Sequence, residues 1–502
     1  MKTAAQLLCL ILILFLFATN VYRAATQSIT TDEAFTYNKF VWPELTQTLA
    51  AYDANHHVLH SLLCKVSVRC FGLSEFGLRV PSLAGGLLFL VSVWRLARYV
   101  FGRGWFCLFA LAAVVLNPQV LDYLSAARGY SLALGFLFYG LFLLTRYLAE
   151  DYDPPTAVLF RAGLACGLSV AANLVFLVPV VAAAATFSAV VLVAPAASSR
   201  RERFWMLVDR FWGPAIVPAF IVLVLPLTHA TARNFYYGAS SLDEMVEHLV
   251  RLSLMHNLRV WSLARFLPRF ADWNAAAAHF VVPALSLLIL AAAAFAIVRW
   301  ARGRDLPALR PARRAGILLA GTMALTLAAL VVARLRFDVL YPLGRTGLYW
   351  LPLFTFGVLL AAAELWNAGR AAKLASAACV GAIVVAMALF LAGFTTNQYP
   401  EWRFDAGTRR IVDILRARPS GTPVRLGVNW RFEPSLNFYR HRYHLDWIQP
   451  VTRDGPDGAF DYYLLLPADA AVAERRALRP IYRDPVSEAT LAVPSLSPAG
   501  HP

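Results

Sequence analysis

The chain has 502 residues and a mass of 55.4 kDa; 59% of its residues are hydrophobic, only 15% are charged, and the mean hydropathy is +0.57. A soluble domain carries about 45–50% apolar and about 25% charged residues, so the excess here must face lipid and the chain is a polytopic membrane protein. The net charge of +16 is almost wholly arginine, with lysine only at Lys2, Lys39, Lys65 and Lys373; these cations sit in short loops between apolar runs rather than on one soluble face, which excludes a nucleic-acid binder.

The first apolar run, 6–25, reads as an uncleaved helix or as a signal peptide, given Lys2, a short apolar core and Ala24-Ala25. Only the uncleaved reading brings the span count into agreement with the charge pattern. Thr31-Asp32-Glu33 follows directly. Two adjacent carboxylates at a membrane surface suit a general base, a metal site or both; an acidic helix cap and a solvated loop pair are the other readings.

Asp53-Ala54-Asn55-His56-His57-Val58-Leu59-His60 opens an amphipathic segment running to Phe71. Val58, Leu59, Leu62, Leu63 and Val66 form an apolar stripe at helical spacing, so the helix rests in the interface plane. His56 and His60, four apart, share a face on a helix, as metal-binding pairs do; interfacial polar groups or phosphate hydrogen-bond donors are the other readings. Ser74-Glu75-Phe76-Gly77-Leu78-Arg79-Val80-Pro81-Ser82 then starts the second span, with Glu75 and Arg79 spaced as a structural i,i+4 ion pair.

Further runs of about 20 residues, the length that crosses a bilayer, fall at 80–100, 104–124, 129–149, 157–173, 175–195, 211–229, 278–299, 315–335, 348–367 and 374–394. With the first, they make about eleven helices. Ala127-Arg128-Gly129-Tyr130, with Asp122 nearby, stands at the start of the fourth, and Tyr341-Pro342-Leu343-Gly344-Arg345-Thr346-Gly347-Leu348-Tyr349 precedes the tenth. Arg128 and Arg345 at the bilayer rim suit a fork of hydrogen bonds to a phosphate, or simple snorkelling.

A cytoplasmic N-terminus places Arg95, Arg98, Arg103, Arg146, Arg161, Arg200, Arg201, Arg203, Arg210, Arg299, Arg302, Arg304, Arg310, Arg313, Arg314, Arg370 and Lys373 on one side, as the positive-inside rule requires. The loops 26–79, 230–275 and 336–347 then face the periplasm or cell exterior, as does the tail. Loops longer than about 12–15 residues are usually functional, so the working end faces outward. In the tail, Asp405 to Arg418 reads as an amphipathic helix capped by Asp405 or Thr408 and stopped by Pro419; Val424 to Val428 and Tyr462 to Leu466 read as strands, and Pro434 to Tyr439 as a short helix. The expected domains are a membrane domain, 1–394, with its first outer loop at 26–79, and a small soluble α/β domain, 395–502. The six cysteines show no metal spacing and no disulfide framework.

The Asp-Glu pair, the Asn-His start of an interfacial helix, the Ser-Glu-x-x-Leu-Arg-x-Pro-Ser opening, Ala-Arg-x-Tyr at 127–130 and Gly-Arg-x-x-Leu-Tyr at 344–349 resemble, in order, the GT-C glycosyltransferases. The branch is that of protein O-mannosyltransferases, the lipid A aminoarabinose transferase and the Rgt-like galacturonosyltransferases. The specific part is residues 1–150. The resemblance implies an all-α polytopic GT-C fold in the cell membrane, moving a sugar from a polyprenyl-phosphate carrier to an acceptor lipid, glycan or protein at the outer face, with inversion. It makes Asp32 the base, with Glu33 supporting it or helping to hold the acceptor or a divalent metal ion. Arg128, Arg345, His56 and His57 would serve the carrier phosphate, with Asn55, Glu75, Arg79, Tyr130 and Tyr341 in support. Many relatives carry His-Pro-Pro where this chain has Asn55-His56-His57-Val58. The competing functions are a transporter or flippase of a lipid-linked saccharide, and a membrane-anchored assembly protein.

Overall fold

The computed structural model describes residues 2–150, 157–194, 198–231, 234, 237–254, 274–302, 309–366, 369–417 and 422–495. Half of the expected loop 230–275, Arg304, Arg418, Pro419 and the last residues of the spans 175–195 and 348–367 lie outside them. Packing groups the chain into two compact units. The first holds Met1–Asn20, Ala51–His60 and Pro81–Phe394; the second holds Val21–Ala50, Ser61–Val80 and Thr395–Pro502. Packing thus joins parts of the first outer loop to the C-terminal segment, a grouping that hydropathy, which reads only local composition, does not display.

Among the described residues nine helices are long and apolar enough to cross a membrane: Lys2–Thr26, Glu75–Phe101, Tyr130–Ala149, Leu174–Val193, Arg200–Leu227, Asn274–Ala301, Arg310–Phe337, Gly344–Trp366 and Arg370–Gly393. Two shorter apolar helices, Trp105–Val115 and Ala157–Ala172, accompany them. The run 104–124 is therefore not one helix. It breaks at Asn117-Pro118, where the Asn117 side chain accepts the Val120 N–H at 3.1 Å and Pro118 opens a new turn. Leu14, Ile221, Leu335 and Leu374 each expose more than 60% of their surface, as lipid-facing side chains do. In the first unit, Gly163 and Gly167 let Ala157–Ala172 approach the span Arg200–Leu227 closely; a Cβ at either would strike the carbonyl of Phe211 or Ala215.

The helix Val58–Phe71 matches the expected interfacial segment. It buries Val58, His60, Ser61, Cys64 and Ser67 and exposes Leu63 and Val66, so its polar edge faces protein and the later part of its apolar stripe faces out. In Glu75–Phe101, Pro81 lacks the N–H that would bond Gly77 O, and Ser67 Oγ donates to that carbonyl instead.

The C-terminal part of the second unit is α/β. Strands β1 (Leu426–Val428), β2 (Tyr462–Leu465), β3 (Leu478–Arg483) and β4 (Thr490–Pro494) form one sheet in the order β1-β2-β4-β3. β1 runs parallel to β2; the β2–β4 and β3–β4 pairs are antiparallel. The amphipathic helix is Thr408–Arg416, burying Ile411, Val412 and Leu415, and it starts at Gly407, so neither Asp405 nor Thr408 is its cap. Asp405 ends a preceding 3₁₀ turn, Pro400–Asp405, and has a different task. The short helix expected at 434–439 spans Glu433–Tyr443.

Candidate functional site

The candidate residues fall into two groups, one in each unit. In the first unit, the chain from Asp53 to His57 is a tight turn: Asp53 Oδ1 accepts the Asn55 N–H at 2.9 Å and Asp53 O accepts the His56 N–H at 2.8 Å. The turn ends where the helix Val58–Phe71 begins, so His56 is not on a helix with His60. His56 Nδ1 lies 3.0 Å from Ala51 O, while His60 Nε2 lies 3.0 Å from Ser82 Oγ. The shared-face pair is thus replaced by two separate roles.

Ser82 is the hub that fixes Arg128. Its hydroxyl donates to Arg128 O at 3.1 Å and accepts the Arg128 N–H at 3.3 Å. With that proton used, its remaining lone pair makes His60 the donor through Nε2–H. Burial and then the charge of Arg128 lower the His60 pKa to about 3, which keeps the ring neutral in that role. The Arg128 side chain is itself 1% exposed and donates from Nη2 to Asn55 Oδ1 at 2.7 Å. Gly129 follows, where a Cβ would meet Ala172 O and the His57 side chain, so only glycine lets Arg128 stand beside His57.

His57 is 3% exposed, edge-on to Tyr130 with ring centres 5.1 Å apart, and Tyr130 in turn packs edge-on against Tyr123 at 4.9 Å. Its pKa is lowered well below the ordinary histidine value, first by burial and then by Arg128, His60, Arg345 and His56. Both expected arginines therefore bear on this one imidazole. His57 Nε2 is buried, with no hydrogen-bond partner among the described residues. Arg345 sits in the 3₁₀ turn Gly344–Gly347 with its guanidinium 4.8 Å over the Tyr237 ring. Tyr341 is 8% exposed, in a small core with Ala239, Met245, Leu249 and Leu330, and its backbone pairs with Ala239. That pairing joins the segment leading into the Arg345 turn to Ala239. Sequence reading missed Ser82, Tyr237 and His248, whose ring lies against Gly344.

In the second unit, Asp32 and Glu33 open the short helix Thr31–Thr36, capped by Thr30. They part company at once. Asp32 is half-buried. Glu33 is fully buried: Oε1 accepts Arg79 Nε at 2.8 Å, and Oε2 accepts Arg79 Nη2 at 2.6 Å and the Thr30 N–H at 2.8 Å. Arg79 completes its fork on backbone carbonyls, with Nη1 donating to Ala24 O and Gln27 O and Nη2 to Ser28 O. The expected Glu75–Arg79 ion pair does not form. Buried Arg79 takes Glu33, while Glu75 accepts Tyr439 Oη at 2.8 Å and pairs with Arg442. Helical spacing brought the two within reach of each other, but tertiary partners satisfied both more completely.

Among the described residues no three His, Cys, Asp or Glu side chains group so as to hold a metal ion. Both oxygens of Glu33 are committed to Arg79 and the Thr30 N–H.

No protein-family model matches the chain, and no curated protein sequence matches it. Among solved structures it is similar to ArnT from Cupriavidus metallidurans bound to undecaprenyl phosphate, with 16% identity and a TM-score of 0.46 over 100% of both chains. The apo form of that protein gives 15% identity and a TM-score of 0.47 over 100% of this chain and 99% of that one. The oligosaccharyltransferase of Archaeoglobus fulgidus in complex with Zn and sulfate gives 13% and 0.47 over 86% of this chain and 61% of that one. Similarity at this level assigns no activity by itself.

Proposed function

We propose that the chain is an integral-membrane glycosyltransferase that moves a sugar, with inversion, from a polyprenyl-phosphate donor to an acceptor lipid, glycan or protein at the outer face of the cell membrane. The observation that carries the reading is the buried constellation around His57. Two guanidinium charges bear on a neutral imidazole whose Nε2 has no hydrogen-bond partner among the described residues. Such a site suits a phosphate: Arg128, held by Asn55 and Ser82, supplies the directional fork, Arg345 the second charge, and the His57 ring a neutral hydrogen bond.

In this reading the same cations stabilise the charge left on the carrier phosphate as the glycosidic bond breaks, preorganised and shielded from water. His56 lines the turn that sets Asn55. Asp32 removes the proton of the acceptor hydroxyl as its oxygen attacks the anomeric carbon. Glu33 holds the Asp32 helix through Arg79 and does not touch substrate. The N-terminus is cytoplasmic and the tail extracytoplasmic, following the arginine pattern.

A transporter needs the same lipid phosphate but no base, so the test has two arms. Undecaprenyl phosphate is titrated against the full chain in nanodiscs; Arg128→Ala and Arg345→Ala should each weaken binding about tenfold or more, the loss expected for a charge-assisted fork. Mass spectrometry of envelope lipids and glycans, with and without the protein, should then show one sugar mass lost from an acceptor. Unchanged affinity in both variants removes the phosphate site; altered leaflet distribution of a saccharide lipid with no change in any acceptor mass favours the transporter.

A further inference from the structure

The expected α/β domain has no role in the function proposed above, yet the second unit ties it to the segment that carries Asp32. Residues 27–31 make six hydrogen bonds to it, five as donors and one in which Ser28 Oγ accepts the Arg409 N–H at 3.2 Å. Gln27 Nε2 donates to Thr396 O at 2.6 Å, Ser28 Oγ to Ala406 O at 2.9 Å, and the Ile29 N–H to Tyr439 Oη at 3.1 Å. The Thr31 N–H donates to Asp405 Oδ2 at 2.6 Å, and Thr31 Oγ1 to Arg431 O. Arg79, by contrast, takes the carbonyls of the same stretch. The backbone before Asp32 is thus held by its acceptors through Arg79 and by its donors through the C-terminal segment.

The Asp32 helix has six α-helical residues, Thr31–Thr36, and runs on into the π-helical turn Tyr37–Val41. An isolated helix of about a dozen residues or fewer is marginal in water, so its orientation depends on its pins. Its first turn presents backbone N–H groups without intrahelical partners, and Asp405 takes one of them immediately before Asp32. Asp405 is 1% exposed, and its other oxygen accepts Ser435 Oγ at 2.9 Å and Thr408 Oγ1 at 3.4 Å. A carboxylate this deep costs desolvation. Its bonds here go to the start of the Asp32 helix and to two hydroxyls of its own segment, one of which, Ser435, fixes the angle of the carboxyl plane.

We infer that Asp405 is a positioning residue for sugar transfer, orienting Asp32 by holding the Thr31 amide, and that the C-terminal domain serves to aim the base. The inference rests on Asp32 being that base. Neighbouring contacts fit it: Tyr439 links Ile29 to Glu75, and the Tyr37 ring packs edge-on to Phe438 at 5.2 Å, so the segment from 29 to 37 is followed along its length by Glu433–Tyr443.

The test uses the full chain in nanodiscs, supplied with total membrane lipid of the producing cell, with turnover read as the mass shift of the acceptor and binding read with undecaprenyl phosphate. Asp405→Ala should lower turnover per folded molecule about tenfold or more, since misplacement by about 1 Å costs up to about a hundredfold. Its affinity for undecaprenyl phosphate should stay within about twofold of wild type. Asp405→Asn keeps an oxygen for the Thr31 N–H and should recover most of the turnover. Ser435→Ala, which leaves the carboxyl but frees its angle, should fall between, and covers the case in which Asp405→Ala does not fold. Unchanged turnover in Asp405→Ala and Ser435→Ala overturns the inference, as does an equal loss in Asp405→Ala and Asp405→Asn. Loss of folded protein with turnover per folded molecule intact also overturns it. Asp32→Asn, run alongside, separates the two levels: if it is inactive while Asp405→Ala is normal, the positioning role alone fails, and if it is fully active, the assignment of the base fails and the positioning role with it.

Discussion

Replacing Arg79 by alanine puts the clamp around the Asp32 helix to its sharpest test. The side chain is fully buried and donates two hydrogen bonds to Glu33 and three to the carbonyls of Ala24, Gln27 and Ser28. Removing one partner of a buried pair leaves an uncompensated charge and costs about 3–5 kcal/mol, before counting the orphaned carbonyls. For a unit of this size about 1 kcal/mol corresponds to roughly 2–4 °C, so Arg79→Ala should lower the melting temperature of the second unit by roughly 6–20 °C. The assay is thermal unfolding of the purified full chain in nanodiscs, followed by Trp402 and Trp430 fluorescence in single-Trp backgrounds. Replacing both partners, Glu33→Leu with Arg79→Met, removes both charges at once and should recover much of the loss, because a well-packed apolar pair replaces a buried ion pair at little net cost. If Arg79→Ala melts within about 2 °C of wild type, the energetic case for the clamp fails.

Burial raises Asp405 from 3.8 to about 7, against the opposing hydrogen bonds from Thr31 and Ser435, with the Glu33 charge adding to the rise. The folded state therefore binds a proton that the unfolded state releases: this contribution is fully present below about pH 4, shrinks as pH rises through the window to about 7, and is level above it. Between pH 5 and about 7 this amounts to about 3 kcal/mol at about 1.4 kcal/mol per pH unit, so melting of the second unit should be higher at pH 5 than at pH 8, and Asp405→Asn should flatten that slope; an unchanged slope refutes the assignment to Asp405. Gly129→Ala should push His57 and Ala172 apart and weaken undecaprenyl phosphate binding about tenfold, the size of a core overpacking cost of about 1–3 kcal/mol; wild-type affinity would show that the close approach is not needed. His57 stays neutral because burial and its cationic neighbours hold its pKa well down, so His57→Asn should weaken binding without changing the shape of its pH dependence between about pH 5 and 8. A titration near the ordinary histidine value that disappears in the variant would contradict this.

The membrane helices were legible because apolar runs of spanning length are a local signal, and the split at Asn173 appears at the expected place between 157–173 and 175–195. The break at Asn117-Pro118 was equally local and was overridden only by counting hydropathy without weighing the proline. The strands β1 and β2 stood out as short apolar runs, whereas β3, Leu478–Arg483, contains Pro480 and alternates poorly, so its pairing with β4 shows only in the structure. For the site, residue type was readable and partnership was not. Glu33 and Arg79 lie 46 positions apart, and Glu75 and Tyr439 364 apart, so nothing in either neighbourhood marks the match. The i,i+4 rule gave Glu75 and Arg79 to each other because it knows only the helix they share. Asp405 carried a signal, an acid just before an amphipathic run, but that signal fitted a helix cap as well as an anchor.

The measurement that bears most directly on the proposed chemistry is sugar transfer by Asp32→Asn, an isosteric change at a half-buried side chain that leaves Glu33, Arg79 and the capping of the helix in place. The variant should insert, melt like wild type and bind undecaprenyl phosphate normally, while the acceptor in the envelope lacks the added sugar mass. An acceptor carrying the full sugar mass in cells whose only copy is Asp32→Asn would contradict it.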